Sequence, residues 1–330
     1  MRIGIIYNEP LRRGEANWES SVDVMVQVES IEAALDDLGH VPVRLPFLRD
    51  LATFTLRLRR EAIDAAFNLC ESVDENPLMI GHPAAVLELL DIPFTGSLAG
   101  PLILSTNKLY SKRIMQGANI NTPAACLYQG EKRLQISGLR YPLILKPQYE
   151  DASIGIDQDS ILTHPDQLQP ALQRLYALYG PILIEEYISG REFNISLFGF
   201  PSPEVMPLAE IDFSGFPDDL HRIVGYQAKW DPQSIEYQET KRVFPDHLPW
   251  HFASQLASVA LECFHLFGLR DYGRVDLRLG ANNTIYVLEI NANPCLSPDA
   301  GFPAAVIESG KTYTEMVDNF LGCIAARRTV

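Results

Sequence analysis

The sequence is poor in basic residues for its length. Its 330 residues include 27 Lys and Arg against 42 Asp and Glu, which gives a formal net charge of −15 at pH 7. Nucleic acids and anionic membranes are bound through clustered Lys and Arg, so we expect neither as a partner. This charge balance still permits a local basic pocket that binds a small anion.

Long apolar runs and paired cysteines are also absent. No run is long enough to span a bilayer, and residues 1–10 lead directly into a strand-like segment instead of a signal peptide. The five cysteines are widely spaced and include no Cys-x-x-Cys pair, which indicates reduced thiols rather than a zinc site or a disulfide framework. From these absences we expect a soluble, cytoplasmic protein.

Compact catalytic motifs are missing as well. The chain contains no Walker loop, no G-x-G-x-x-G, no H-E-x-x-H and no G-x-S-x-G. If the protein binds a nucleotide, it must do so through dispersed lysines and carboxylates.

The pattern of apolar residues predicts an α/β fold that becomes α+β in its later part. In the first part we expect helices at 22–38, 84–90 and 106–116, the last capped by Ser105, and strands at 2–7, 41–47, 62–70 and 92–97. In the later part we expect one long helix at 252–267 and strands at 141–147, 181–188, 192–200, 272–279 and 284–291.

The strand "YVLEIN" ends in polar residues where an apolar strand would be expected to continue. Glu289 and Asn291 are two apart, so their side chains share one face. If the preceding turn is centred on Asn282-Asn283, Asp276 lies opposite Glu289 in the hairpin.

Opposed carboxylates repel each other across a sheet unless a cation lies between them. Two carboxylates and an amide suit Mg²⁺ held together with substrate phosphates. The alternatives are a solvated face or a carboxylate pair neutralised by Arg274 and Arg278.

Two lysines occupy positions that suit a phosphate. Lys108 lies in the first turn of its predicted helix, where the helix dipole disfavours a cation and a bound anion would offset that cost. Lys146 ends a strand, directly before a loop with Gly155 in its turn. The alternative for each is a surface lysine whose stem covers apolar surface.

In combination, these segments resemble the ATP-grasp superfamily and, within it, the D-alanine–D-alanine ligase branch. The matching segments occur in the family's order over most of the chain: "FNLCES" with "AAVLELLDIPFTGS", "STNKLYSK", "LILKP", "ILIEEYISGREF", "YQAKW", "GRVDLRL" and "LEINANP". The resemblance implies three domains, with an N-terminal open parallel sheet in residues 1–104, a central ATP-grasp subdomain in 105–190 and a C-terminal one in 191–330.

The resemblance also implies roles for individual residues. ATP would be bound by Lys108, Lys146, Glu185, Glu186, Glu192 and Lys229. Two Mg²⁺ ions, with Mn²⁺ as an alternative, would be held by Asp276, Glu289 and Asn291. Arg274, Lys229 and Ser153 are the candidate catalytic residues. By the same resemblance we expect a homodimer.

The sequence departs from the family where D-alanine ligases hold their amino acids. The loop serine of the family falls at Ala152, the tyrosine after the third lysine is Trp230, and the serine for the second substrate's carboxylate falls at Ala300. The candidate substrate-binding residues are Glu19, Trp230, Cys295 and Asp299, with Asp299 and the flat Trp230 expected to favour a bulkier or cationic group.

The activity that the resemblance implies is ATP-dependent ligation. A carboxylate would be activated as an acyl phosphate and attacked by an amine, and we expect substrates other than two D-alanines. Two alternatives stay open: a D-alanine–D-alanine ligase with a divergent pocket, and an ATP-binding protein that no longer ligates.

Overall fold

The computed structural model describes residues 1–15, 17–132, 136, 138–281 and 283–327. No helix in these ranges is long and apolar enough to cross a membrane. The N-terminal part contains a parallel sheet of order β2-β1-β3. Its elements are β1 (Arg2–Tyr7), α1 (Trp18–Asp37), β2 (Val41–Pro46), α2 (Leu51–Glu61), β3 (Ala65–Asn68), α3 (Gly81–Leu89), α4 (Ala99–Thr106) and α5 (Lys108–Gly117).

A central part follows with a sheet of its own. Its elements are β4 (Ala125–Tyr128), β5 (Leu143–Pro147), β6 (Ile161–Leu162), α6 (Leu168–Tyr179) and β7 (Ile182–Glu186). The strands pair antiparallel in the order β4-β7-β5-β6. Helix α6 covers one face of this sheet because Leu168, Leu172 and Leu175 recur at helical spacing and are buried.

The last part is built on a larger antiparallel sheet of order β11-β10-β8-β12-β13, with β9 paired to β8. Its strands are β8 (Arg191–Gly199), β9 (Glu204–Val205), β10 (Ala209–Asp212), β11 (Lys241–Val243), β12 (Asp271–Leu279) and β13 (Ile285–Asn291). Its helices are α7 (Tyr226–Trp230), α8 (Ile235–Glu239), α9 (Trp250–Leu266), α10 (Gly301–Glu308) and α11 (Tyr313–Arg327).

The N-terminal sheet and the larger sheet share apolar cores. Phe67 of β3 meets Phe320 of α11 with ring centroids 5.7 Å apart, and Tyr272 of β12 packs on the same ring at 4.9 Å. The main core of the central part is made from residues of that part, such as Leu143 and Ile184, and only a small cluster joins Ile144 and Ile161 to Ile223 of the last part. A cleft between the central part and the other two is lined by residues of all three.

Most of the expected elements are present, and the differences are local. Helix α5 is capped by Asn107, whose Oδ1 accepts from the Tyr110 amide at 3.1 Å, so the predicted cap at Ser105 is wrong. Ser105 instead lies within α4, a helix that the sequence reading missed. The expected strand at 92–97 is wrong too, because only an isolated bridge joins Phe94 to Ala66.

Candidate active site

A cavity of about 590 Å³ lies in the cleft. Its wall includes most of the predicted site residues: Lys146, Ser153, Glu185, Glu186, Glu192, Lys229, Trp230, Arg274, Asp276, Glu289, Asn291, Cys295 and Asp299. Two predicted residues, Lys108 and Glu19, lie outside this wall. The residues come from the central sheet, the larger sheet and the loops between them, so the fold assembles the site from distant segments.

The hairpin β12–β13 places the predicted metal residues on one face. Asp276 pairs with Glu289 and Arg274 with Asn291, as the sequence predicted. The pairs nearer the turn, however, differ by one residue from the predicted register. A β-bulge between Asp276 and Leu277 accounts for the difference between the two parts of the hairpin. Asn282, half of the predicted turn, lies outside the described residues.

Asp276 is surrounded by donors. Arg274 donates to its two oxygens at 2.8 and 2.9 Å, Asn194 donates at 2.8 Å, and Asn291 at 3.1 Å. Burial, together with the neighbouring Glu289 carboxylate, raises its pKa against the opposing effect of Arg274.

Glu289 lies in the opposite electrostatic environment. Burial alone would raise its pKa, but the cationic side chains of Lys108, Lys229, Lys146 and Arg274 together lower it to about 2. Glu289 is therefore ionised at neutral pH. With Asp276 opposite and Asn291 beside it, the donor set is all-oxygen and carries two carboxylates, which fits Mg²⁺.

A buried ion-pair triad lies at the part of the cavity wall that contains Lys146 and Glu185. Lys112 contacts Glu185, and Lys146 lies 2.7 Å from the same carboxylate; the side chains of Lys112 and Glu185 are 3% and 1% exposed. Lys112 also donates to Thr122 Oγ1 at 2.8 Å. The prediction from the sequence assigned Glu185 to ATP binding and did not include Lys112, whose contacts depend on how α5 packs against β7.

The other two candidate lysines differ in their contacts. Lys108 is buried, its Nζ donates to the Glu150 carbonyl, and it lies 3.7 Å from Asp151 Oδ1 in the loop that borders the cavity. Lys229 forms no hydrogen bond or ion pair within the described residues, and burial followed by the charge of Arg274 lowers its pKa. The Lys229 ammonium group is thus available to bind an anion in the cavity.

The other two acidic residues predicted to bind the nucleotide differ in how many of their carboxylate oxygens accept hydrogen bonds. Glu192 receives both Arg278 bonds on Oε2, at 2.9 and 2.7 Å, which leaves Oε1 open to hydroxyl groups. Both oxygens of Glu186 accept from Arg140, at 2.9 Å each. A direct role for the Glu186 carboxylate would require breaking that pair.

The loop after β5 is held to residues 224–230 by side-chain and backbone hydrogen bonds, the backbone one running from the Tyr226 amide to the Ile156 carbonyl at 2.8 Å. Trp230 Nε1 donates to the Ala152 carbonyl at 3.0 Å, and Ser153 Oγ donates to the Val224 carbonyl at 2.7 Å. Ala152 and Ser153 have φ of 53° and 62°, a left-handed turn that presents the carbonyl to the indole. The indole N–H of Trp230 therefore holds the loop, while the residue also lines the cavity, so its flat face stays a predicted contact for the substrate.

Comparison with known proteins is consistent with this geometry. Residues 124–322 match the family model described as the D-ala D-ala ligase C-terminus, which covers more than half of the chain. The chain belongs to this family. It is a D-alanine–D-alanine ligase-like ATP-grasp protein, and the fold class expected from the sequence is confirmed.

Relatives match along almost the whole chain. An uncharacterized protein y4sG of Sinorhizobium fredii is 28% identical over 91% of this chain and 87% of its own length. The D-alanine–D-alanine ligase of Moorella thermoacetica is 25% identical over 97% and 98% of the two chains. The D-alanine–D-alanine ligase of Bacillus anthracis, solved in complex with ATP, superposes with a TM-score of 0.78 at 21% identity, covering 100% of this chain and 99% of that chain.

In this ligase-like protein, the N-terminal helix reaches the site through a residue that the sequence reading did not select. Glu19 lies outside the cavity wall and accepts from Tyr226 at 3.4 Å. Asp23, one turn later in α1, lines the cavity and accepts from Cys295 Sγ and from Ser297, each at 3.0 Å. Burial, followed by the charge of Asp23, raises the Cys295 thiol's pKa well above its usual value, so this cysteine is not a nucleophile.

Two further charged residues at the substrate end were also missed. Glu71 lines the cavity and accepts from Gln27 at 3.0 Å. Burial, with the charges of Asp23 and Asp151, raises its pKa to about 7. Arg242 of β11 lines the cavity near Asp299 and donates to its carbonyl at 3.0 Å. Glu71 lies in the segment "FNLCES" that carried the resemblance but was not selected there, whereas Arg242 lies in none of those segments.

Proposed function

We propose that this protein is an ATP-dependent ligase that joins a carboxylate to an amine through an acyl phosphate, with substrates other than a pair of D-alanines. One observation carries the proposal: Lys146, Lys229 and Arg274 line the same cavity as Glu289, and together with Lys108 they lower the pKa of this carboxylate. Such a concentration of positive charge around one ionised carboxylate suits a polyphosphate and a metal ion, whereas a purely structural carboxylate needs one partner.

The chemistry follows from what the residues can neutralise and exclude. A carboxylate oxygen attacks the γ-phosphorus of ATP, and the bond to ADP breaks; the amine then attacks the acyl carbon, phosphate leaves, and a proton is released. Phosphoryl transfer needs alignment and charge neutralisation more than covalent help, and Lys146 and Lys229 supply cations for it. Mg²⁺ held by Asp276, Glu289 and Asn291 would neutralise phosphate charge.

Arg274 and the loop after β5 have separate roles in the proposed chemistry. Arg274 Nη1 forms no hydrogen bond within the described residues and can stabilise an oxyanion on the acyl carbon. The loop held by Trp230 and Ser153 covers the cavity and would exclude the water that hydrolyses the intermediate. In this proposal Ser153 acts by holding the loop.

The nucleotide is proposed to lie between the central part and the larger sheet, with its ribose at the open Oε1 of Glu192. The division at residues 1–104, 105–190 and 191–330 and the homodimer are proposed on the family resemblance. A second candidate function is D-alanine–D-alanine ligation, which the similarity to the D-alanine–D-alanine ligase of Moorella thermoacetica along nearly the whole chain favours.

Phosphate release tests the proposal. The protein with Mg²⁺ and ATP is assayed against a panel of amino acids and small carboxylates, alone and with amines, and products are identified by mass. We expect a substrate pair that yields ADP, phosphate and an amide in equal amounts, and none with the Glu289→Gln variant. ATP turnover without any amide product across the panel would contradict ligation, and efficient formation of D-alanyl-D-alanine would instead establish the second candidate.

A further inference from the structure

Two guanidinium groups converge at the substrate end of the cavity. A side-chain Cβ at Gly301, the first residue of α10, would lie 3.5 Å from Arg274 Nη1 and 3.8 Å from Arg242 Nε and Nη2. Arg274 comes from β12 and Arg242 from the edge strand β11, so two different strands direct cations to one point beside a glycine.

The donors of this pair are largely unused. Arg274 donates from Nε and Nη2 to Asp276, and Arg242 donates from Nη1 to the Asp299 carbonyl. Within the described residues, Arg274 Nη1 and Arg242 Nε and Nη2 form no hydrogen bond. Like charges this close repel, and an anion between them would remove the repulsion.

Backbone N–H groups beside the two guanidinium groups add further hydrogen-bond donors. Helix α10 begins at Gly301, its N-cap Ala300 provides no side-chain hydrogen bond, and both residues line the cavity. The amides of Gly301 and Phe302 have no partner in the described part of the chain. The free N–H groups of the arginines alone exceed the roughly four lone-pair directions of one carboxylate.

We propose that Arg242 is a specificity residue that, together with Arg274, selects an amine substrate carrying two negative charges, either a second carboxylate or a phosphate. This inference rests on the proposed ligase function, because it names the substrate of that same cavity. The resemblance places the second substrate's carboxylate at Ala300, which has no hydroxyl here, and Arg242 provides charge at that place.

The neighbouring acid offsets this charge only in part. Asp299 is exposed and contacts Arg242 through its backbone carbonyl, and no hydrogen bond joins its carboxylate to Arg242 among the described residues. Burial and the charge of Arg274 lower the pKa of Arg242, and the opposing effect of the Asp299 charge is smaller. In this proposal the group bound beside Asp299 is anionic, in contrast to the cationic group expected from the sequence.

Direct binding tests the selectivity without requiring turnover. The full chain with Mg²⁺ and ADP is titrated calorimetrically with alanine, aspartate, glutamate and O-phosphoserine, each as both enantiomers. We expect a dianionic amine to bind at least about tenfold tighter than alanine, which corresponds to about 1.4 kcal/mol. Preference for aspartate or glutamate identifies a second carboxylate, and preference for phosphoserine identifies a phosphate.

The variants Arg242→Gln and Lys241→Gln distinguish a specific role of Arg242 in binding from a general effect of positive charge on β11. Both remove one positive charge from β11, but Lys241 is exposed and lies outside the cavity wall. We expect Arg242→Gln to reduce the preference to within about twofold and Lys241→Gln to leave it unchanged. Equal binding of alanine and the dianions by the parent, or a preference that survives Arg242→Gln, would overturn the inference. Selective binding without ligation would refute the proposed function alone.

Discussion

Removal of Lys112 should destabilise the fold by leaving the buried Glu185 carboxylate short of a partner. Lys112 is 3% exposed, contacts Glu185, and donates to Thr122 Oγ1 at 2.8 Å and to the Pro123 carbonyl at 3.3 Å. Breaking a buried ion pair costs about 3–5 kcal/mol, since the remaining charge stays desolvated. Lys146 still lies 2.7 Å from Glu185, so we expect Lys112→Met to cost about 3 kcal/mol, near the lower end of that range.

The assay is urea unfolding of Lys112→Met beside the parent, read by fluorescence and far-UV circular dichroism. A matched control is Lys241→Met, which removes an exposed lysine and should change the unfolding free energy by about 0.5 kcal/mol or less. Replacing Glu185 as well removes the carboxylate that still pairs with Lys146, so the double variant Lys112→Met/Glu185→Gln should recover none of the loss. A loss below about 1 kcal/mol in Lys112→Met, or a double variant more stable than the single one, would refute the reasoning.

The pH dependence of the same comparison has a defined sign. Burial would raise the pKa of Glu185, but Lys112 and Lys146 lower it below its usual value. A carboxylate with a lowered folded-state pKa stabilises the protein above its unfolded pKa, and this contribution is lost as the pH falls. The difference between parent and Lys112→Met should therefore be largest near neutral pH and shrink in acid.

Three further predictions follow from the site. Glu289→Gln should abolish ligation while changing the melting temperature little, and activity within about tenfold of the parent would exclude a metal-bridging role. Trp230→Phe removes the bond to the Ala152 carbonyl, worth about 0.5–1.5 kcal/mol, so amide exchange in the loop should rise by about two- to tenfold; unchanged exchange would exclude the indole as a latch. The pKa of Glu71 is raised to about 7 in the folded protein, so its stabilising contribution is complete below the unfolded pKa near 4.5 and is lost as the pH rises through 7. The melting temperature of Glu71→Gln relative to that of the parent should therefore rise between pH 5 and pH 8. A difference that stays constant with pH would contradict this.

The hairpin β12–β13 shows both the strength and the limit of local prediction. Alternation of apolar residues identified both strands, and the pairing of Asp276 with Glu289 was correct. The turn was placed one residue off, since Leu279 pairs with Ile285, and the bulge beside Asp276 compensates for the shift. Bulges depend on how the strand packs against its surroundings, so counting from a turn cannot anticipate them.

Helix boundaries show a similar contrast. The signal for α2 was present in the sequence, because Asp50 precedes it and accepts from the Thr53 amide at 3.1 Å, yet a short apolar pattern left it unrecognised. The cap of α5 was misplaced from Asn107 to Ser105 because α4 and α5 follow each other with one residue between them. Both residue types are good caps, and only the chain path distinguishes them.

The sequence by itself determined the fold class, the family and the order of the candidate ATP-binding and metal-binding residues, because these depend on short segments such as "LILKP" and "LEINANP" whose chemistry is local. The tertiary structure decided which charges meet. It paired Lys112 with Glu185, brought Asp23 rather than Glu19 to the cavity wall, and joined Arg242 to Arg274 beside α10. These contacts join helices and strands that are distant in the sequence, and no periodicity within one segment records how such elements pack against each other.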